Sequence, residues 1–140
     1  MSPNDMLALA SEDLACYSTA QWCRLELASY HKRIIEMLEA IEKEKARRGM
    51  VFLPPRHSKT LLCNLLFSAY FLGRHPDRSI ITTSYGQDLA DDFGLKVRSL
   101  VSNPIHKRIF PGFRLSGDAT SIRRFTTTAG GSYYAIGRGG

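Results

Sequence analysis

The stretch from Gly49 to Leu72, GMVFLPPRHSKTLLCNLLFSAYFL, constrains this chain most. Met50 to Leu53 is a short apolar run that reads as a buried strand, ended by Pro54 and Pro55. Ser58, Lys59 and Thr60 then open a helix that runs to about Leu72, with Gly73 and Pro76 as stops. Leu61, Leu62, Leu65, Leu66, Phe67, Ala69 and Phe71 make that helix apolar nearly all round, as expected of one buried on several sides. Strand, tight turn and a Lys–Thr pair at a helix start is how phosphate-binding loops are built. Unpartnered N–H groups at a helix N-terminus attract anions. The lysine adds a mobile charge, and the neighbouring hydroxyl can ligate Mg²⁺. Against the pattern G-x-x-x-x-G-K-[ST], the glycine positions hold Leu53 and Ser58. The same residues also suit a Pro-Pro turn, a Ser N-cap and a buried helix with Lys59 simply solvated.

Four stretches in order resemble the large subunit of phage terminases, the ATPases that pump DNA into capsids. Pro54-Pro55-Arg56-His57-Ser58-Lys59-Thr60 is similar to that family's variant Walker A loop, P-P-R-H-G-K-[ST], with Ser58 in place of the glycine. The others are Tyr70-Phe71-Leu72-Gly73-Arg74-His75-Pro76-Asp77, then Thr83-Ser84-Tyr85 with Leu89-Ala90-Asp91-Asp92-Phe93-Gly94, then Gly130-Gly131-Ser132-Tyr133-Tyr134-Ala135. The resemblance covers roughly residues 30–140. It implies an α/β fold, a partial P-loop NTPase core with a parallel sheet flanked by helices. Residues 1–29 would form a separate N-terminal helical segment.

The roles it implies follow residue by residue. ATP with Mg²⁺ would sit on Pro55, Arg56, His57, Ser58, Lys59 and Thr60. Lys59 would contact the β- and γ-phosphates, and Thr60 would ligate the metal. Arg56 would place a positive charge near the γ-phosphate, so that Arg56 and Lys59 form the catalytic pair. Backbone N–H groups from Arg56 to Thr60 would cradle phosphate while Pro54 and Pro55 hold the loop's shape. Tyr30 and His31 would lie on the adenine side, against the simpler reading of a surface pair. Implied partners are double-stranded DNA, the terminase small subunit and the portal, in the host cytoplasm. The resemblance places the acidic Walker B strand and the nuclease domain beyond Gly140. Asp77, Asp88, Asp91, Asp92 and Asp118 follow Thr60, and none ends an apolar run. A partial sheet with unpaired strand edges also invites self-association.

A net charge of +6 favours anionic partners. No apolar run approaches the ~20 residues that span a bilayer, and the N-terminus carries acids in place of the basic start of a signal peptide. A soluble cytoplasmic protein is expected. Cys16, Cys23 and Cys63 have no C-x-x-C spacing and are expected as free thiols.

Along the rest of the chain, Met6, Leu7, Leu9 and Leu14 mark a short amphipathic helix capped by Asn4 or Asp5, and Trp22 reads as a packing anchor. Ile34, Met37, Leu38 and Ile41 predict a helix from Tyr30 to Arg48, braced by Glu39–Lys43 and Glu44–Arg48 and stopped by Gly49. Ser79 to Ser84 reads as a strand, giving a parallel β-α-β unit with Met50–Leu53. Its end would put Ser84, Tyr85 and Gly86 on the edge that carries the phosphate loop, as ligand contacts or a helix cap. A helix over Asp88–Val101 follows, then His106, Lys107 and Arg108 at the surface. Arg123–Thr128 and Ser132–Ile136 predict an antiparallel pair joined through Ala129-Gly130-Gly131. Arg123 and Arg124 could face phosphate, with sheet-edge charge the simpler reading, before a glycine-rich tail. The alternative function is a catalytically silent nucleic-acid-binding or assembly module on an ATPase-like fold, and a third is another P-loop NTPase of helicase type.

Overall fold

The computed structural model describes residues 2–22, 25–54, 59–121 and 123–138, with the backbone alone for 118–120. The Pro55, Arg56, His57 and Ser58 assignments therefore lie outside the described residues, as do Cys23 and the last two glycines. The fold is α/β. Among the described residues it has helices α1 (Pro3–Ala10), α2 (Leu14–Gln21), α3 (Ser29–Glu42), α4 (Phe67–Arg74), α5 (Gln87–Ser102) and α6 (Pro104–Ile109). The strands are β1 (Ser79–Ser84), β2 (Leu115–Thr120), β3 (Arg124–Thr127) and β4 (Ser132–Gly137).

The four strands form one mixed sheet in the order β1-β4-β3-β2. β1 runs parallel to β4, with Ser79 opposite Ser132 and Ser84 opposite Gly137. The β2–β3 and β3–β4 pairs are antiparallel. The expected parallel sheet is thus reduced to one parallel pair, extended by an antiparallel meander that includes the predicted hairpin. The strand expected at Met50–Leu53 is also absent from the sheet. That segment has the alternation of an extended chain, with Val51 and Leu53 half-buried against the core. Met50 and Phe52 point outward, 77% and 82% exposed. Val51 and Leu53 pack inward without a ladder, and β1, whose neighbour in the sheet is β4, lies at the sheet edge.

α4 and α5 pack on one face of the sheet, over Phe125, Tyr133 and Ala135. Ile81 and Tyr134, opposite one another across β1 and β4, stand exposed on the other face. The helix that enters α4 is continuous from residue 59, and its Leu61–Leu66 portion is π-helical. No side chain from Leu61 to Arg74 is fully exposed, which matches the all-round apolar pattern. It passes through Gly73 and ends at His75.

α3 stops six residues before the predicted Arg48. Glu44 takes a left-handed conformation, φ 62°. Its N–H donates to Ile41 O and that of Lys45 donates to Ala40 O, a Schellman ending that satisfies the last carbonyls. Glu39–Lys43 forms at 3.9 Å, but Glu44 reaches Arg78 at 3.0 Å instead of Arg48. At the N-terminus, Ser2 and not Asn4 or Asp5 caps α1, and Asp5 closes the reciprocal bond to Ser2 N–H.

The β3–β4 hairpin forms as expected, with Gly130 at φ 98°. Gly131 faces a different constraint. Its N–H donates to Pro76 O at 3.0 Å, and a Cβ there would meet the carbonyl oxygens of Pro76 and Arg78 at 2.3 Å. The Thr127 hydroxyl donates to the same Pro76 carbonyl. This knot ties the hairpin to the turn before β1. Gly131→Ala is expected to cost about 1–3 kcal/mol through overpacking. Gly130→Ala, with open space around it, is expected to cost only its backbone term of about 1–2 kcal/mol. Thermal unfolding of the two variants separates steric from conformational cost.

Candidate functional site

Lys59 and Thr60 occupy the first described turn of the long helix, and both are exposed. Lys59 has no carboxylate partner among the described residues. Its charge reaches back to Cys63, one turn on, where burial raises the thiol's pKa and the ammonium opposes that rise. The exposed ammonium of Lys59 and hydroxyl of Thr60 are chemically suited to a polyphosphate. Among the described residues no group of three or more His, Cys, Asp or Glu side chains is placed to hold a metal ion. Mg²⁺ would therefore rely on Thr60 and on phosphate oxygens, with water completing its shell.

Thr60 lies beside Trp22, Leu61, Leu65, Lys96, Ser99 and Leu100, around a cleft of about 380 Å³. Ser84, Tyr85 and Gly86 sit elsewhere. Gly86 is the N-cap of α5 and the Ser84 hydroxyl donates to its carbonyl at 2.9 Å. Lys96 is nine residues further along α5 than Gln87, roughly 14 Å at 1.5 Å per residue. The helix-cap reading of Ser84–Gly86 is the one the structure bears out, with Tyr85 left exposed beside it.

The neighbourhood of Gly86 is ordered by Asp91. It accepts from Gln87 Nε2 at 2.8 Å and from Arg123 Nε and Nη2 at 2.8 and 3.2 Å. Those bonds hold the Asp91 carboxyl below its usual pKa, Arg123 first and Gln87 second. Gln87 Oε1 accepts from Gly137 N–H at 3.0 Å, linking the end of β4 to α5. Arg123 is thus a bidentate partner of α5, more than loose edge charge, whereas Arg124 is exposed.

Three further assignments change. Trp22 is 47% exposed, so it anchors little. His31 is buried and its Nδ1 accepts the Ala28 N–H at 3.0 Å, so it serves as part of the α3 cap and its ring face is closed to a base. His106 is fully buried, while Lys107 and Arg108 are at the surface as expected. Its Nδ1 hydrogen-bonds with the Tyr17 hydroxyl at 2.7 Å, and that oxygen accepts from Gln21 Nε2 at 3.0 Å. Burial depresses the His106 pKa to about 4.

A buried ion cluster has no counterpart in the sequence reading. Glu42, in the last turn of α3, accepts from Arg74 Nε at 2.6 Å and His75 Nε2 at 2.8 Å. Arg74 Nη1 also donates to Ser11 O at 2.7 Å. The Arg74-His75 pair of the second family-like stretch therefore joins three helical segments. Cys16 and Cys63 are half-buried free thiols. Among the described residues no helix is long and apolar enough to cross a membrane. No protein-family model, curated protein or solved structure matches the chain.

Proposed function

We propose that this chain binds ATP with Mg²⁺ through the loop that ends in Lys59 and Thr60, as the N-terminal part of a terminase-type DNA-packaging ATPase. The support is the exposed Lys59–Thr60 pair on the first described turn of a long helix, free of any carboxylate partner among the described residues. The four family-like stretches give the reading its direction. Lys59 would neutralise the outer phosphates and Thr60 would offer its hydroxyl to Mg²⁺, with Arg56, His57 and Ser58 supplying the rest of the cradle. ATP supplies the free energy of phosphoryl transfer in such a motor, while this chain's residues bind and orient the phosphates. Double-stranded DNA, the terminase small subunit and the portal are the partners this function implies, and host cytoplasm its setting.

Lys59→Ala is expected to weaken ATP binding about ten- to a hundredfold, the loss of a charged hydrogen bond of ~1.5–3 kcal/mol, with an unchanged far-UV spectrum. Equal affinity in parent and variant would defeat the assignment. The position of Met50–Leu53 outside the sheet favours a second reading, a catalytically silent nucleic-acid-binding or assembly module. Salt-dependent DNA binding that ATP does not alter would select it.

A further inference from the structure

We propose that the cleft between Trp22, the π-helical segment and the second half of α5 receives a nucleobase, with the Trp22 indole as its stacking face. The inference rests on the phosphate-loop reading for the other end of the ligand. Trp22 follows α2 as its C-cap residue and leaves about half of its surface in the open. Full burial of an indole removes some 150–250 Å² from water, so a half-exposed one in a concavity is a face waiting for a partner. Leu61, Leu65 and Leu100 supply apolar walls. The volume of about 380 Å³ suits a small planar ligand.

The polar groups of the cleft lie where a nucleotide needs them. Thr60 lines it and is adjacent in sequence to Lys59, so a base on Trp22 leaves its phosphates toward Lys59. Ser99 offers an exposed hydroxyl to a base edge. Lys96 adds a cation, held at 2.9 Å by Asp92 in an exposed pair that contributes little on its own and is easily exchanged. Apolar walls, one aromatic plate and cations toward one end are complementary to a planar base joined to an anion. With His31 buried, Trp22 replaces it as the base platform.

The chain has a single tryptophan, so its emission reports on this cleft alone. ATP is expected to quench Trp22 emission. Inorganic tripolyphosphate is expected to compete with ATP without quenching. Trp22→Ala should lower ATP affinity about five- to a hundredfold, the usual worth of one base–aromatic stack, and leave tripolyphosphate affinity unchanged. Trp22→Phe should retain most of it, which guards against a variant that merely misfolds. Lys59-dependent ATP binding with unaltered Trp22 emission and equal affinity in Trp22→Ala overturns the inference and leaves the phosphate site standing. If neither ATP nor tripolyphosphate binds, the phosphate reading fails, and adenosine decides the cleft separately: quenching upholds it and its absence overturns it. Trp22 emission that shifts on dilution of the chain alone means a second copy fills the cleft, and also overturns the inference.

Discussion

Arg74→Ala is expected to lower the unfolding free energy by about 3–5 kcal/mol, the usual cost of removing one partner from a buried ion pair. The Glu42 side chain is 1% exposed, and its Oε1 takes both Arg74 Nε and His75 Nε2. Burial alone would raise the pKa of Glu42, but the bonds from Arg74 and then His75 outweigh it and hold the carboxyl below its ordinary value. A carboxylate in the last turn of α3 also faces the negative end of the helix dipole, which only nearby cations offset. Without the guanidinium, Glu42 keeps a single hydrogen bond, and Ser11 O and the Tyr70 ring face lose their contacts with Arg74. Urea denaturation reads the loss. Arg78→Ala, which breaks the exposed pair with Glu44, is the control and is expected to cost no more than about 1 kcal/mol. Because the Glu42 pKa is depressed, its contribution is present above the unfolded carboxylate pKa and fades as pH falls through the folded value.

Acid is expected to weaken the fold earlier than that, through His106. Its folded pKa is about 4 against an ordinary 6.5, because burial disfavours the imidazolium. The sign follows directly. Above pH 6.5 the ring is neutral folded or unfolded, and linkage costs nothing. Between 6.5 and 4 the unfolded chain takes up a proton that the folded chain refuses, so stability declines as pH falls. The full difference is about 3 kcal/mol at 1.36 kcal/mol per unit. Burial explains the preference, because among the described residues the site offers the imidazolium no carboxylate and little hydrogen bonding. Gln21 donates to the Tyr17 oxygen, the Tyr17 hydroxyl and His106 Nδ1 share a hydrogen bond, and Asn103 Nδ2 donates to Gln21 Oε1 at 2.6 Å. An imidazolium carries a proton on both ring nitrogens, and Nε2 is buried without a hydrogen-bond partner among the described residues. Stability measured from pH 7.5 to 4 should show this slope, reduced by one proton's worth in His106→Gln. A parallel slope in parent and variant would contradict the assignment.

Local signals carried well from sequence to structure. β1 spans the SIITTS run, α5 agrees with the predicted helix to within one residue at each end, and the glycine hairpin forms. Each depends on β-branched content, periodicity or turn chemistry within a few residues. The long helix after residue 59 was legible in the same way, because a continuous apolar stretch is insensitive to which face is buried. What was hidden depends on distant partners. His106 reads as surface among Lys107 and Arg108, since nothing local points to Tyr17, 89 residues earlier. Glu42 reads as one of many charges near the end of α3, and only the fold brings Arg74 and His75 to it. The α3 stop was missed because Glu44 adopts the left-handed conformation usually left to glycine, while Gly49 packs against Met37 and Ile41. Met50–Leu53 has strand composition and alternation, but strand pairing is a two-body property, and the segment makes no ladder although β1 lies at the sheet edge. At the candidate site, the exposure of Lys59 and Thr60 agrees with their polar character, whereas the exposure of Trp22 runs against its reading as a packing anchor.

The most direct test of the account is calorimetric titration of ATP into the purified chain, in Mg²⁺ and again in EDTA. The account predicts saturable one-to-one binding that weakens in EDTA and is lost or greatly reduced in Lys59→Ala. A chain that is folded by circular dichroism yet shows no ATP binding, or binds equally well without the lysine, would contradict it.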